Sequence, residues 1–270
     1  MASIQDVKLQ IENANALGRA NLSEKGVSVN EDATTYEIMQ SIAEVQSGEE
    51  IFDFSPYIKS ANQLFQRVGS FPTKAVVNLP VATTLTRAFS YWELNTIPMV
   101  EEITVNAPNL NINSDQSLYQ VFLYNHCVER IILNLSNENL YMNSTFYGSS
   151  KLLEVVLGFS TKNITSSKET FSGSTKLIKI DGVLDFSSNE NVTNMFYGCS
   201  NLEYVRFEPN TLSVSISLGA TSKLSAESVQ SIIDGLATVE TAQTLTLNKA
   251  ISLTDEQKAT INAKGWTLTQ

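Results

Sequence analysis

At 270 residues and 29.7 kDa the chain can form one large unit or two to three small ones, and its 42% apolar residues suffice for a core. Charged residues make up only 17%, Ser, Thr and Asn taking their place, and a net charge of −10 with a pI near 4.7 argues against a nucleic-acid partner, which needs clustered Lys and Arg. No apolar run reaches the roughly 18 residues of a membrane span, the start MASIQDVKLQ lacks the basic-then-apolar pattern of a secretory signal, and two cysteines cannot form a disulfide framework.

The first fifty residues read as helical. Ile4, Val7, Ile11 and Ala14 recur at helical spacing, Gly26 suits a C-terminal glycine, and Thr34 with Glu37 makes a capping box. Ile38, Ile42 and Val45 then form one stripe, with Gly48 as the stop. From these residues alone the role of this segment, residues 1–50, is a cap that shields the core of the adjoining region. The paired acids Glu49-Glu50 and Glu101-Glu102 read as solvated edges.

An internal repeat organises residues 51–220. Phe65, Phe89, Phe122, Phe146, Phe171 and Phe196 follow one another at intervals of 24, 33, 24, 25 and 25 residues. FYGSSKLLEVVL, FSGSTKLIKIDG and FYGCSNLEYVRF begin at the last three. An apolar residue stands six places after Phe at Val128, Leu152, Leu177 and Leu202, and nine places after at Ile131, Val155, Ile180 and Val205. Eleven places after come Leu133, Leu157, Gly182 and Phe207. Five inserted residues after Phe89 would bring Val100, Ile103 and Val105 into the same places, whereas the copy at Phe65 reads as degenerate. The last two positions alternate as in a strand. A short strand and a turn cannot bury an apolar side alone, so stacked copies predict a solenoid whose strands pair in parallel. Phe146, Phe171 and Phe196 should stack within it, and Cys199, in the place of Ser149 and Ser174, reads as a small buried filler.

Catalytic chemistry has little to stand on. His126 is the only histidine, so no multi-imidazole metal site is expected within one chain. His126 and Cys127 are adjacent, and on a strand neighbours point to opposite faces. Neither a Gly-x-Gly-x-x-Gly, a phosphate loop nor a Gly-x-Ser-x-Gly elbow occurs. The expectation is no enzyme, no cofactor and no metal.

Residues 221–270 read as a compact α/β module. Ser225 is placed as a helix N-cap with Leu224 and Val229 as its apolar staple, and Val229, Ile232, Ile233 and Leu236 form the buried stripe. Thr244 to Leu247 suits a strand, Thr254 and Gln257 a second capping box, Lys264-Gly265 a helix end, and Trp266 and Leu268 a last strand.

The residues carry a resemblance. NVTNMFYGCSNLEYVRF, Asn191 to Phe207, resembles the repeat of BspA-like leucine-rich-repeat proteins. ALGRANLSEKGVSVNEDATTYEIMQSIAEV, Ala16 to Val45, and Lys223 to Gln270 resemble the terminal segments of tail and baseplate proteins of bacteriophages and prophages. The resemblance implies an α/β fold: a leucine-rich-repeat solenoid between an N-terminal helical segment and a small C-terminal α/β cap. It implies a virion tail protein, made in the host cytoplasm, that contacts other tail or baseplate proteins and a glycan or protein of the host surface, without membrane insertion. Homo-oligomerisation is left open. A bacterial cell-surface adhesin of the same repeat family is the alternative.

If positions nine and eleven after Phe face the core, positions eight and ten face outward. These are Arg130 and Ile132, Glu154 and Val156, Lys179 and Asp181, Tyr204 and Arg206, with Glu102 and Thr104 in the inserted repeat. Arg130, Glu154, Lys179, Asp181, Tyr204 and Arg206 form the candidate ligand face, unless this row is only the wet side of a sheet. Tyr204 and Arg206 stand out because Tyr and Arg dominate hot spots. Tyr124, Tyr147 and Tyr197 at the turns are the alternative surface.

Overall fold

A computed structural model describes residues 49–53, 60–68, 71–93, 99–110, 118–135 and 141–270, with Ile51 the one side chain described in the first of these stretches. The expected N-terminal helices, with Gly26 and the Thr34–Glu37 capping box, lie outside the described residues.

A strand β1 (Glu49–Asp53) precedes the first Phe, and each of the six repeats then contributes one strand: β2 (Lys74–Asn78), β3 (Val100–Ala107), β4 (Val128–Leu135), β5 (Glu154–Leu157), β6 (Lys179–Leu184) and β7 (Tyr204–Phe207). The strands lie side by side in chain order, every pair parallel, so the fold is a parallel β-solenoid. Ile103, Ile131 and Val155 are cross-strand partners in turn, as their common distance from Phe requires, and Val155 faces Ile180. The five inserted residues after Phe89 are borne out, since Val100 pairs with Val128 and Val105 with Leu133.

Two features differ from the sequence reading. The copy at Phe65 is a full repeat, with Ala75 and Val77 opposite Ile103 and Val105, because its strand begins one residue later than spacing alone suggests. Its neighbour β1 pairs with it in parallel, Glu50 opposite Ala75. Eleven places after Phe171, Gly182 does not fill the core position. Lys179 pairs with Tyr204 but Val183 pairs with Arg206, so β6 carries two extra residues, and Leu184 packs opposite Phe207 instead. Gly182 accommodates the excursion with φ of 140°, where a Cβ would stand 3.0 Å from that of Leu157.

Opposite the sheet, the turns around the phenylalanines form a second hydrogen-bonded ladder. Gln120, Phe122 and Tyr124 donate their N–H groups to the carbonyls of Asn143, Thr145 and Tyr147 one repeat on, at 3.2, 2.7 and 2.7 Å. The residues between them close local turns, as from the N–H of Leu123 to the carbonyl of Gln120. Alternation of this kind needs left-handed backbone two places before and two places after each Phe. Gln63, Arg87, Gln120, Ser144, Glu169 and Asn194 supply the first column and Arg67, Tyr91, Tyr124, Gly148, Gly173 and Gly198 the second.

Between the two ladders lies the core. Phe65, Phe89, Phe122, Phe146, Phe171 and Phe196 are buried and stack at centroid distances of 5.0, 5.0, 5.7, 5.3 and 5.8 Å, and Phe207 ends the column 6.4 Å beyond Phe196. Three places after each Phe from Phe89 onward stands a donor. Trp92, Asn125, Ser149, Ser174 and Cys199 reach the carbonyls of Phe65, Phe89, Phe122, Phe146 and Phe171, at 2.7, 2.9, 2.7, 2.8 and 3.1 Å. Cys199 is thus buried as expected, yet it continues a polar ladder instead of merely filling space. Burial pushes its thiol up to about 12.

The last repeat needs a cover, because β7 would otherwise present an unpaired edge. Helix α1 (Ala226–Gly235) supplies it: Ser228 and Ser231 accept the N–H groups of Val205 and Phe207, each at 3.0 Å. Gly235 lets the helix approach, since a Cβ there would come 2.6 Å from that of Phe207. Ser225 caps α1 and the Thr254–Gln257 capping box opens α2 (Asp255–Ala263), both as the sequence predicts, and Gly265 closes α2 with φ of 85°. A second parallel sheet joins β8 (Ile216–Leu218), β9 (Gln243–Leu247) and β10 (Trp266–Thr269), with β9 central. Because β8 pairs with β9, this module reaches back across residue 220.

Candidate functional site

Along β2 to β7 alternate side chains leave the core, and strand register aligns them in rows on the outer face. Lys74, Glu102, Arg130, Glu154, Lys179 and Tyr204 make one row. Val76, Thr104, Ile132, Val156 and Asp181 make the next, and Asn78, Asn106 and Asn134 a third.

Charges in the first row alternate in sign. Arg130 sits between two acids, with Nε 2.7 Å from Glu154 and Nη1 on Glu102. Lys179 Nζ lies 2.9 Å from Glu154 and 3.0 Å from Asp181, while Arg206 reaches Asp181 only at 3.8 Å. Lys74 turns to Glu101 at 3.3 Å. Burial alone would raise the Glu154 carboxyl, but hydrogen bonds from Lys179 and Arg130 outweigh it and hold the group below its ordinary value. The bonds to Glu154 raise both Arg130 and Lys179 in return. Exposed pairs of this sort contribute about 0.2–1 kcal/mol each, so the row serves register and neutrality more than stability.

All six candidate residues therefore meet on one face, but unequally. Arg130, Glu154, Lys179 and Asp181 are engaged with one another. Tyr204, 47% exposed, and Arg206, its side chain 54% exposed, are the less committed members. The extra residues in β6 also break the expected line: Asp181 faces Val156, whereas Arg206 stands opposite Val183. Beside this shift, Lys179, Asp181, Tyr204 and Arg206 with Glu227 and Ser228 of α1 line a cleft of about 170 Å³. Two acids, two cations and a phenol on its wall can hydrogen-bond and stack a small polar ligand.

The asparagine row was not foreseen. Asn106 donates to Asn78 at 2.7 Å and Asn134 to Asn106 at 2.8 Å. The row ends at Gly158, where a Cβ would strike the Asn134 amide. Only its recurrence one place after the core residues Val77, Val105 and Leu133 could have signalled it.

His126 and Cys127 do not form a nucleophile pair. The imidazole Nδ1 lies 2.9 Å from Ser150 Oγ, while Cys127 is buried in the core, where desolvation and the charge of Glu93 push its thiol up to about 12. Among the described residues no group of three His, Cys, Asp or Glu could hold a metal, and no helix is long and apolar enough to cross a membrane.

The turn tyrosines stand apart from this face. Tyr124 is 40% and Tyr197 68% exposed, and Tyr91, Tyr124 and Tyr147 approach one another at 5.9 and 5.5 Å. Compared with protein-family models, with characterised proteins and with solved structures, the chain matches none.

Proposed function

We propose that the protein is a non-enzymatic structural component of a bacteriophage or prophage-derived tail. Its repeats are of the BspA-like leucine-rich type, residues 1–50 attach it to other tail or baseplate proteins, and the outer sheet face contacts a glycan or protein of the host envelope. The tail assignment rests on the resemblance of Ala16 to Val45 and Lys223 to Gln270 to phage tail segments. One observation carries the recognition role. Tyr204 and Arg206 stand exposed beside a polar cleft, at the end of a charge row whose other members are engaged with each other.

The test has two parts. An antibody to the protein should decorate particle tails in negative stain; labelling of intact bacterial surfaces with no particles present would point to an adhesin. Replacing Tyr204 and Arg206 together by Ala should weaken adsorption to host cells while leaving thermal stability nearly unchanged. Undiminished adsorption would remove the sheet face from recognition.

A further inference from the structure

A second surface lies on the phenylalanine turns. Two places after each Phe the backbone is left-handed: φ is 55° at Arg67, 60° at Tyr91 and 49° at Tyr124, then 68°, 75° and 76° at Gly148, Gly173 and Gly198. Glycine takes this conformation without strain, whereas a bulky side chain there is an outlier. Three successive repeats nevertheless carry Arg or Tyr. Nothing in the core asks for them, since Arg67 and Tyr124 are exposed.

What the side chains do is line up in contact, the Tyr91 and Tyr124 rings tilted by 42° and the Tyr124 and Tyr147 rings perpendicular at 88°. The Arg67 guanidinium lies 5.1 Å over the Tyr91 ring, Tyr91 is 5.9 Å from Tyr124, and Tyr124 is 5.5 Å from Tyr147 and 6.2 Å from His126. The Tyr124 ring lies across Gly148, where a Cβ would come within 2.6 Å of it. The row thus passes over the first glycine of the column onto Tyr147, and Tyr197, 68% exposed, stands farther along the same turns. Strained positions that hold half-buried Tyr91 and exposed Tyr124 in line with half-buried Tyr147, and with Tyr197 beyond the ring-free turn at Ser172, mark a surface kept for something other than folding.

We propose that this flank is a stacking track for a neutral glycan chain. Exposed phenol rings bind flat partners, either bases or the faces of sugar rings, and the net charge of −10 disfavours a polyanionic strand. Successive turns repeat at about the 4.8 Å spacing of neighbouring strands, close to the length of one pyranose unit, so neighbouring sugars meet Tyr124 and Tyr147 and one two units farther meets Tyr197. Phenol hydroxyls and the His126 ring supply hydrogen bonds along the edge. The neighbouring Tyr124 phenol, burial and Glu169 hold the Tyr147 hydroxyl above its ordinary value of 10.0. This surface is separate from the sheet face and does not depend on the protein belonging to a virion.

Electrophoresis of the full chain through gels cast with a β-glucan, a mannan, a galactan or a rhamnan tests the proposal, with heparin as the anionic control. At least one neutral polymer should retard the protein. Tyr124→Gly should weaken that retardation about tenfold, the order of one ring stack, without lowering the melting temperature, because glycine relieves the left-handed strain. Tyr197→Ala should weaken it as well, and it decides the matter should Tyr124→Gly fail to fold. Tyr204→Ala with Arg206→Ala should be retarded like the unaltered protein, so failure of the sheet-face reading is told apart from failure here. No retardation by any neutral polymer, retardation by heparin alone, or a Tyr124→Gly protein that melts lower yet binds as before would each overturn the proposal.

Discussion

The repeats at Phe65, Phe89 and Phe122 and those at Phe146, Phe171 and Phe196 share one backbone but not one sequence. Both sets hold left-handed residues two places either side of the Phe. The later set uses glycine at the second of these places and Ser, Ser and Cys as the buried donor; the earlier set uses Arg67, Tyr91 and Tyr124, with Trp92 and Asn125 as donors. Conformation is therefore imposed by the stack. Two ladders of hydrogen bonds and a column of rings over-determine each turn, and the residues decide only how much strain the turn carries.

The shared core should be the costliest thing to disturb. Phe171→Ala removes a ring stacked on both sides, at 5.3 and 5.8 Å, and should lower stability by about 3–5 kcal/mol in chemical denaturation. A loss below about 1 kcal/mol, the range of surface changes, would mean that the column is not the common frame of the two halves.

Next in size is the glycine column. Gly173→Ala places a side chain at φ of 75°, its Cβ 3.3 Å from the Cα of Gly148, and should cost about 1–2 kcal/mol. If the melting curve does not move, the left-handed turn is no more costly for alanine than for glycine, and the contrast between the halves loses its basis.

The donor ladder sharpens the comparison further. Ser174→Ala deprives the Phe146 carbonyl of one of its two donors, the other being the Ser149 N–H, and should cost about 1 kcal/mol. Cys199→Ser keeps a donor of the kind already present at Ser149 and Ser174, so its denaturation midpoint should shift little, within about 0.5 kcal/mol. A Cys199→Ser protein damaged as much as Ser174→Ala would show that packing, not donation, governs the position.

The smallest effect belongs to the outer face. Glu154 has a folded value below its ordinary 4.5, so its contribution is present above pH 4.5 and is lost as pH falls through the lowered value. Glu154→Gln should flatten that acid limb of the melting-temperature profile slightly, and raised salt should do likewise at neutral pH. An unchanged limb would indicate that the charge row contributes nothing to folding.

How far the sequence could be read differs between the halves for the same reason. Near Phe146, Phe171 and Phe196 the glycines and small donors recur at fixed places, so period, register and the buried ring were legible, as were both helix caps, whose signals are local. Near Phe65 the same backbone is built from Gln63, Arg67 and Ala75, which carry no such signature. The outward positions of Arg130, Glu154, Lys179 and Tyr204 followed from strand alternation alone. Their mutual engagement did not, because it depends on side chains 24 or 25 residues apart meeting across paired strands.

By itself, then, the sequence determined a stacked repeat with one strand per unit, its core positions and its C-terminal helix caps, because periodicity and capping are properties of neighbours along the chain. Tertiary structure alone decided the two extra residues of β6 at Gly182, the left-handed turns at Arg67, Tyr91 and Tyr124, the covering of the β7 edge by Ser228 and Ser231, and the neutralised charge row. Each of these arises where one turn of the solenoid meets the next. Hydrogen-bond demand and steric fit between turns outweigh the local preference of any single residue there.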